Sequence, residues 1–196
     1  MTTLSDNPSP SLARPRAILD AAARLFKEGQ RDSALILIYA LIDILGSLTR
    51  LDESGTAASG NFRSFVVKYL LPRSQLGCTA DDLWGARCGI LHELDSQSDH
   101  SRSGRARTII HMGGLEQTDA GLRWEEAIER SLHAVPGMLK VPASSITVVH
   151  VNTLIAALSA ALSRLALEIT ADASFKERID RRVQEELVGL WVREST

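Results

Sequence analysis

The sequence predicts a mainly α-helical bundle carrying a small two-stranded antiparallel β element. Apolar residues recur at helical spacing along most of the chain, and the stretch from Ala34 to Leu45 is apolar nearly all round. A helix of that kind belongs at the centre of a bundle, because every side of it needs cover from water. Only two short runs, Thr108–Met112 and Ser145–Val151, have the β-branched content of strands.

Residues 1–14 are polar and proline-containing and read as a disordered tail, with one domain over residues 15–196. A first helix is expected over Pro15–Lys27, with Ile18, Ala22, Leu25 and Phe26 along one side. Asp32 or Ser33 caps the apolar second helix, which runs to about Thr49 and carries Asp43 as its only charge beyond the first turn. Residues 52–60, rich in Gly, Ser and Ala, form a loop. A third helix, Asn61–Leu71, gathers Phe62, Phe65, Val66, Tyr69 and Leu70 and stops at Pro72. Thr79 with Asp82 resembles a capping box and opens a fourth helix that reaches about Leu94. Residues 95–104 read as polar and flexible.

The two strand-like runs form the β ribbon, within residues 107–151, with Leu122–Leu139 between them as a helix or a loop. Asn152 or Thr153 starts a helix with Leu154, Leu158, Leu162, Leu165 and Ile169 on one stripe. Ser174 and Glu177 form a capping box for a last helix that repeats Phe175, Ile179, Val183, Leu187 and Trp191. These C-terminal helices cover about residues 152–192.

Hydrophobic residues make up 44% of the chain, enough for a sizeable core, and aromatics only 5%, so that core is mostly aliphatic. A net charge of -2 excludes the global basic footprint of a non-specific nucleic-acid binder. Any RNA contact must then come from a local patch. Cys78 and Cys88 are too few for a disulfide framework or a metal cage. The N-terminus lacks the charged and apolar segments of a signal peptide. The run Ala34–Leu45 is short for a bilayer span and is interrupted by Asp43. The expectation is a cytoplasmic protein without membrane, metal or cofactor. Gly-rich phosphate loops and nucleophile elbows are missing from the sequence, and neither cysteine has an adjacent histidine.

One helical turn, Arg87 to His92, concentrates the chemistry. On a wheel at about 100° per residue, Ala80, Trp84, Cys88 and Leu91 form a core stripe, widened by Leu83, Ile90 and Leu94. Arg87 falls within that arc, and His92 lies at the opposite margin, about 140° away. An arginine so placed either pairs with a buried acid or emerges in a groove or subunit interface. Asp43 is the obvious partner. Such a pair is hard to justify on stability alone, because desolvation commonly offsets the attraction.

An arginine, four intervening residues and a histidine near the end of a helix, set within Leu83–Glu93, resemble the signature of the HEPN superfamily of small α-helical domains. The stretch Asn61–Leu70 and the apolar helix with its lone acid are similar to it as well, so the resemblance covers about residues 30–95. It implies a HEPN-like helical bundle and a metal-independent endoribonuclease of phage-defence or toxin–antitoxin systems, usually dimeric. The implied partners are RNA, a second copy of the chain, and an antitoxin or defence protein. His92 would act on the ribose 2′-hydroxyl as base or protonate the leaving oxygen, roles that suit an imidazole titrating near neutrality. Arg87 would hold the scissile phosphate, and Asp43 would orient Arg87 or His92. The products would be a 2′,3′-cyclic phosphate and a 5′-hydroxyl. Active members usually carry a polar residue directly after the arginine. Here that residue is Cys88, which reads as core-facing packing. The alternative is a non-catalytic interaction or accessory subunit in which Arg87 and His92 are structural.

Arg63 and Lys68 on the third helix, with Arg102 and Arg105 in the loop beside His100 and Arg107, are the candidate RNA contacts. The plainer reading of all four is a solvated surface. His111 and His150, one on each strand, are placed to face each other across a ribbon, but they lack further ligands for zinc.

Overall fold

The computed structural model describes residues 10–51, 58–95, 97–113 and 124–191. Its centre is α2 (Arg31–Thr49), whose Ala34, Ile38, Tyr39, Leu41, Ile42 and Leu45 are fully buried. Four elements cover it: α1 (Pro10–Lys27), α3 (Ala58–Phe65), α4 (Ala80–Glu93) and α8 (Ala173–Trp191). The chain also forms α5 (Asp99–Arg102), β1 (Thr108–Met112), α6 (Trp124–Leu139), β2 (Ile146–His150) and α7 (Val151–Ala171). At Gly46 the backbone of α3 comes so close that a Cβ would stand 2.9 Å from the Asn61 carbonyl oxygen. Taken whole, α2 and α7 are each long and apolar enough to cross a bilayer, which corrects the expectation drawn from the shorter run Ala34–Leu45. Each also lines the common core of the bundle.

Several boundaries differ from expectation for packing reasons. Helix α1 starts at Pro10 and holds Pro15 inside it, so residues 10–14 are not tail; residues 1–9 lie outside the described residues. Proline lacks an N–H and disfavours a helix interior. Here Leu12 is fully buried and the Ser11 hydroxyl is bonded to Asp180 of α8, so tertiary contacts hold the first turn. Helix α2 begins at Arg31 with no side-chain cap at Gln30. Helix α3 begins at Ala58, inside the expected loop, and runs into a π-helical turn at Val66–Leu70 before Pro72. Helix α8 is capped by Asp172 rather than by a Ser174–Glu177 box: its carboxylate accepts from the N–H groups of Ser174 and Phe175. The apolar stripe of α7 is buried throughout, as are Phe175 and Ile179 of α8; the side chains of Leu187 and Trp191 lie outside the described residues.

The two strands pair in parallel, not antiparallel. Thr108 lies beside Ile146 and Met112 beside His150. The connection explains the correction. An antiparallel ribbon needs only a tight turn, whereas here α6 occupies the long link and returns the chain to the same end. The histidines consequently do not face each other. Half-buried His111 bonds through Nε2 to the hydroxyl of Tyr39 at 2.8 Å, and His150 caps α7 by accepting from the Asn152 N–H.

Helix α4 is held at both ends. Thr79 and Asp82 form the expected capping box, and the Asp82 carboxylate also accepts from the backbone N–H, Nε and Nη2 of Arg107. Burial would raise the Asp82 carboxyl, but the hydrogen bonds from Arg107 and Thr79 outweigh it and hold the group below the usual carboxylate range. Along one side of α4, Gly85 and Gly89 admit the segment that follows the helix. A Cβ on Gly89 would stand 2.5 Å from the Asp95 carbonyl oxygen, and one on Gly85 would stand 3.1 Å from Ala106. Part of the stretch expected to be flexible is thus the short helix α5, capped by Ser98 and docked on α4. At the far side of the bundle, buried Arg182 of α8 donates to the Leu48 and Arg50 carbonyls and closes the C-terminus of α2.

Two outcomes follow. Gly89→Ala lowers stability by about 1–3 kcal/mol in denaturant unfolding, because backbone must move away from the new methyl; an unchanged midpoint would show that the docked segment yields freely. Burial pushes the His111 imidazole down to about 4 from 6.5. The unfolded chain therefore takes up that proton first as pH falls, and stability drops between pH 6.5 and about 4. Melting curves of wild type and His111→Gln across this window should differ in slope, and parallel curves would remove His111 as the cause.

Candidate active site

The chemistry sits where α2, α4 and the segment after α4 meet. Arg87 of α4 donates through Nε and Nη2 to one oxygen, Oδ2, of Asp43 on α2, both at 2.8 Å. Its third nitrogen, Nη1, lies 2.8 Å from His92 Nε2. A guanidinium is donor-only, so the imidazole must accept at Nε2 and carry its proton on Nδ1. The reach of the arginine side chain closes the 140° that separate the two residues on the wheel. Side-chain exposure of 17% for Arg87 and 24% for Asp43 leaves the pair open to solvent from one side, and His92 is exposed. Of the five N–H groups of Arg87, three are used and two remain for a ligand.

The wheel placed the core face of α4 wrongly by part of a turn. Its buried apolar positions are Leu83, Trp84, Ala86 and Ile90, with Gly85 and Gly89 under the docked segment. Ala80, Cys88 and Leu91 are only half-buried, so Cys88 lies at the edge of the core rather than within it. The reason is that α4 is covered on two sides, by α2 and by its own continuation, and an apolar pattern cannot report the second. Leu94, in the left-handed conformation that ends the helix, is 72% exposed.

Trp84 is the hub of the neighbourhood. The guanidinium carbon of Arg87 lies 5.0 Å from its ring centre, and that of Arg63 lies 5.3 Å away. Its indole N–H points to His100 Nε2 at 3.2 Å, and Phe62 packs edge-on at 5.3 Å. Indole is a donor only, so His100, like His92, is held with its proton on Nδ1. Burial, then the charges of Arg105 and Arg63, lower the His100 pKa below its ordinary value, against the opposing pull of Asp81 and Asp99.

The remaining candidates divide. Arg63 is close to the site and pairs with Asp81 at 2.6 Å. Arg105 donates its backbone N–H to the His100 carbonyl at 3.0 Å and its Nε to Ser103. Arg102 is bound to Asp95 and Asp99. Lys68 sits apart, on the π-turn, paired with Glu168 and lying over Tyr69 and Phe175. Among the described residues, no group of three His, Cys, Asp or Glu is placed to hold a metal ion. Sequence reasoning passed over Trp84 as anything but packing and left His100 in a flexible loop. The usable signal was Gly85 and Gly89, four apart on one helix, which mark a close approach of other backbone.

The ion pair makes a measurable statement. Arg87→Ala and Asp43→Ala each cost about 1–3 kcal/mol in denaturant unfolding, and the double variant costs less than their sum by about 1 kcal/mol or more. His92→Ala stays within about 0.5 kcal/mol of wild type, as suits an exposed side chain. Strict additivity of the first two would sink the pairing.

Compared with known protein families, curated proteins and solved structures, the chain matches none.

Proposed function

We propose that this chain is a HEPN-like, metal-independent endoribonuclease, cytoplasmic and homodimeric, working in phage defence or a toxin–antitoxin pair. The observation that carries the reading is the joining of Asp43, Arg87 and His92 into one hydrogen-bonded chain that is open to solvent on one side. Asp43 fixes the guanidinium and offsets part of its charge. The scissile phosphate of RNA takes the two remaining N–H groups of Arg87 and draws Nη1 away from His92. That frees His92 Nε2, which removes the proton from the ribose 2′-hydroxyl. The 2′-oxygen bonds to phosphorus, the bond from phosphorus to the 5′-oxygen breaks, and that oxygen takes a proton from the imidazolium or its counterpart in the second copy. A 2′,3′-cyclic phosphate and a 5′-hydroxyl result. The half-buried apolar flank formed by Ala80, Cys88 and Leu91, with exposed Leu94, supports a second copy seated beside the site.

A second reading is favoured by Cys88, an apolar-edged residue where a polar partner for the phosphate is expected. In that reading the chain is a non-catalytic interaction subunit and the Asp43–Arg87 pair is a tether. Cleavage of RNA in the presence of a chelator separates the two. Wild type cleaves, while His92→Ala and Arg87→Ala each lose activity on the order of a hundredfold or more with the fold retained. Equal cleavage by all three proteins, or none by wild type, excludes this site as the catalyst.

A further inference from the structure

Three side chains beside the Arg87–His92 pair keep donor nitrogens that have no hydrogen-bond partner among the described residues. Arg63 uses Nε on Asp81 and Nη1 on the Ser59 carbonyl, which leaves Nη2. Arg105 uses Nε on the Ser103 hydroxyl, which leaves both terminal nitrogens. His100 accepts at Nε2 from Trp84, which leaves its Nδ1–H. The other basic side chains of this segment are matched by acids: Arg102 by Asp95 and Asp99, and Arg107 by Asp82. The Arg105 backbone N–H donates to the His100 carbonyl at 3.0 Å, which keeps these two residues adjacent, and Arg63 lies over the same Trp84 ring whose N–H is bonded to His100. Arg63 and Arg87 approach the same indole, so their guanidiniums lie roughly 10 Å apart or less. Of the nearby acids, exposed Asp81 pairs with Arg63 and exposed Asp99 pairs with Arg102. The Asp81 pair with Arg63 is a surface pair of the kind that contributes little, so a phosphate can displace it.

Building on the RNA-directed reading of Arg87 and His92, we propose that Arg63, His100 and Arg105 form a second phosphate subsite, and that the substrate is a single strand gripped at two neighbouring phosphates. Trp84 sets the spacing. It is buried and already spends its N–H on His100, so it serves as a rigid partition between the two subsites and not as a stacking platform for a base. The docking of the post-helix segment on Gly85 and Gly89 brings His100 and Arg105 to this place. A duplex is disfavoured, because the donors come from short side-chain reaches around one indole and not from an extended face.

Non-cleavable 2′-deoxy ligands test the subsite by calorimetric or NMR titration of the full chain. One ligand is a dinucleotide with a single phosphate, and the other is a trinucleotide with two. Wild type should favour the trinucleotide by on the order of fivefold to tenfold. In the double variant Arg63→Gln, Arg105→Gln that preference should fall to near one, with dinucleotide affinity unchanged. For a longer strand, the slope of log affinity against log salt should fall by about 0.7 for each contact removed. Arg105 is exposed and Arg63 half-buried against Trp84, and an unaltered melting curve confirms the fold. A preference that persists in the double variant overturns the second subsite and leaves the RNA reading intact. Failure of wild type to bind either ligand or a longer RNA overturns both.

Discussion

The structure depends on covering α2. A helix with apolar side chains on nearly every face cannot remain against water, and its cover comes from α1, α3, α4 and α8 together. Asp43 is the one charge on that helix beyond its first turn, and it dictates what α4 must bring. A half-buried carboxylate needs a cation with geometry good enough to offset desolvation. Arg87 supplies it with two bonds to one oxygen. The packing requirement of the core and the formation of the site are thus the same event: docking α4 on α2 buries Leu83, Ala86 and Ile90 and aligns the guanidinium.

A second constraint shapes the surroundings. Arg87 and the Trp84 indole can only donate, so each histidine beside them is held as an acceptor at Nε2. Two imidazoles are therefore kept in one tautomer by neighbours that cannot themselves titrate in the ordinary range. For His92 this turns the basic nitrogen towards the phosphate-binding cation proposed above. For His100 it leaves the opposite N–H available to the second subsite proposed above. The close return of the chain over Gly85 and Gly89 makes this possible, since a Cβ on Gly89 would press on the Asp95 carbonyl oxygen and one on Gly85 would crowd Ala106.

Much of this was legible in the residues themselves. The helix cap at Thr79 and Asp82, the stripe of α7, the strand Thr108–Met112 and the pairing of Asp43 with Arg87 all follow from local chemistry or from a charge out of place. Two of the misjudged features share a physical cause. The start of α1 at Pro10 and the core face of α4 depend on contacts that an apolar pattern does not report, from Asp180 to Ser11 and from the chain beyond α4 to Gly85 and Gly89, while the cap of α8 is a local choice of Asp172 over Ser174. The parallel pairing of β1 and β2 was decided by α6 between them, since strand composition carries no sign of direction.

By itself the sequence determined that the chain is helical, that one helix is central, and that Arg87 needs either a carboxylate partner or a groove to emerge in. Periodicity, capping and the electrostatics of a buried charge act over a few residues or through a single unavoidable partner. Only the tertiary structure decided that His92 reaches the same guanidinium, that Trp84 stands between two arginines, and that a polar loop becomes one wall of the site. Those relations are set by side-chain reach and by the closeness of backbones far apart in sequence, and neither is encoded in the spacing of residues along one helix.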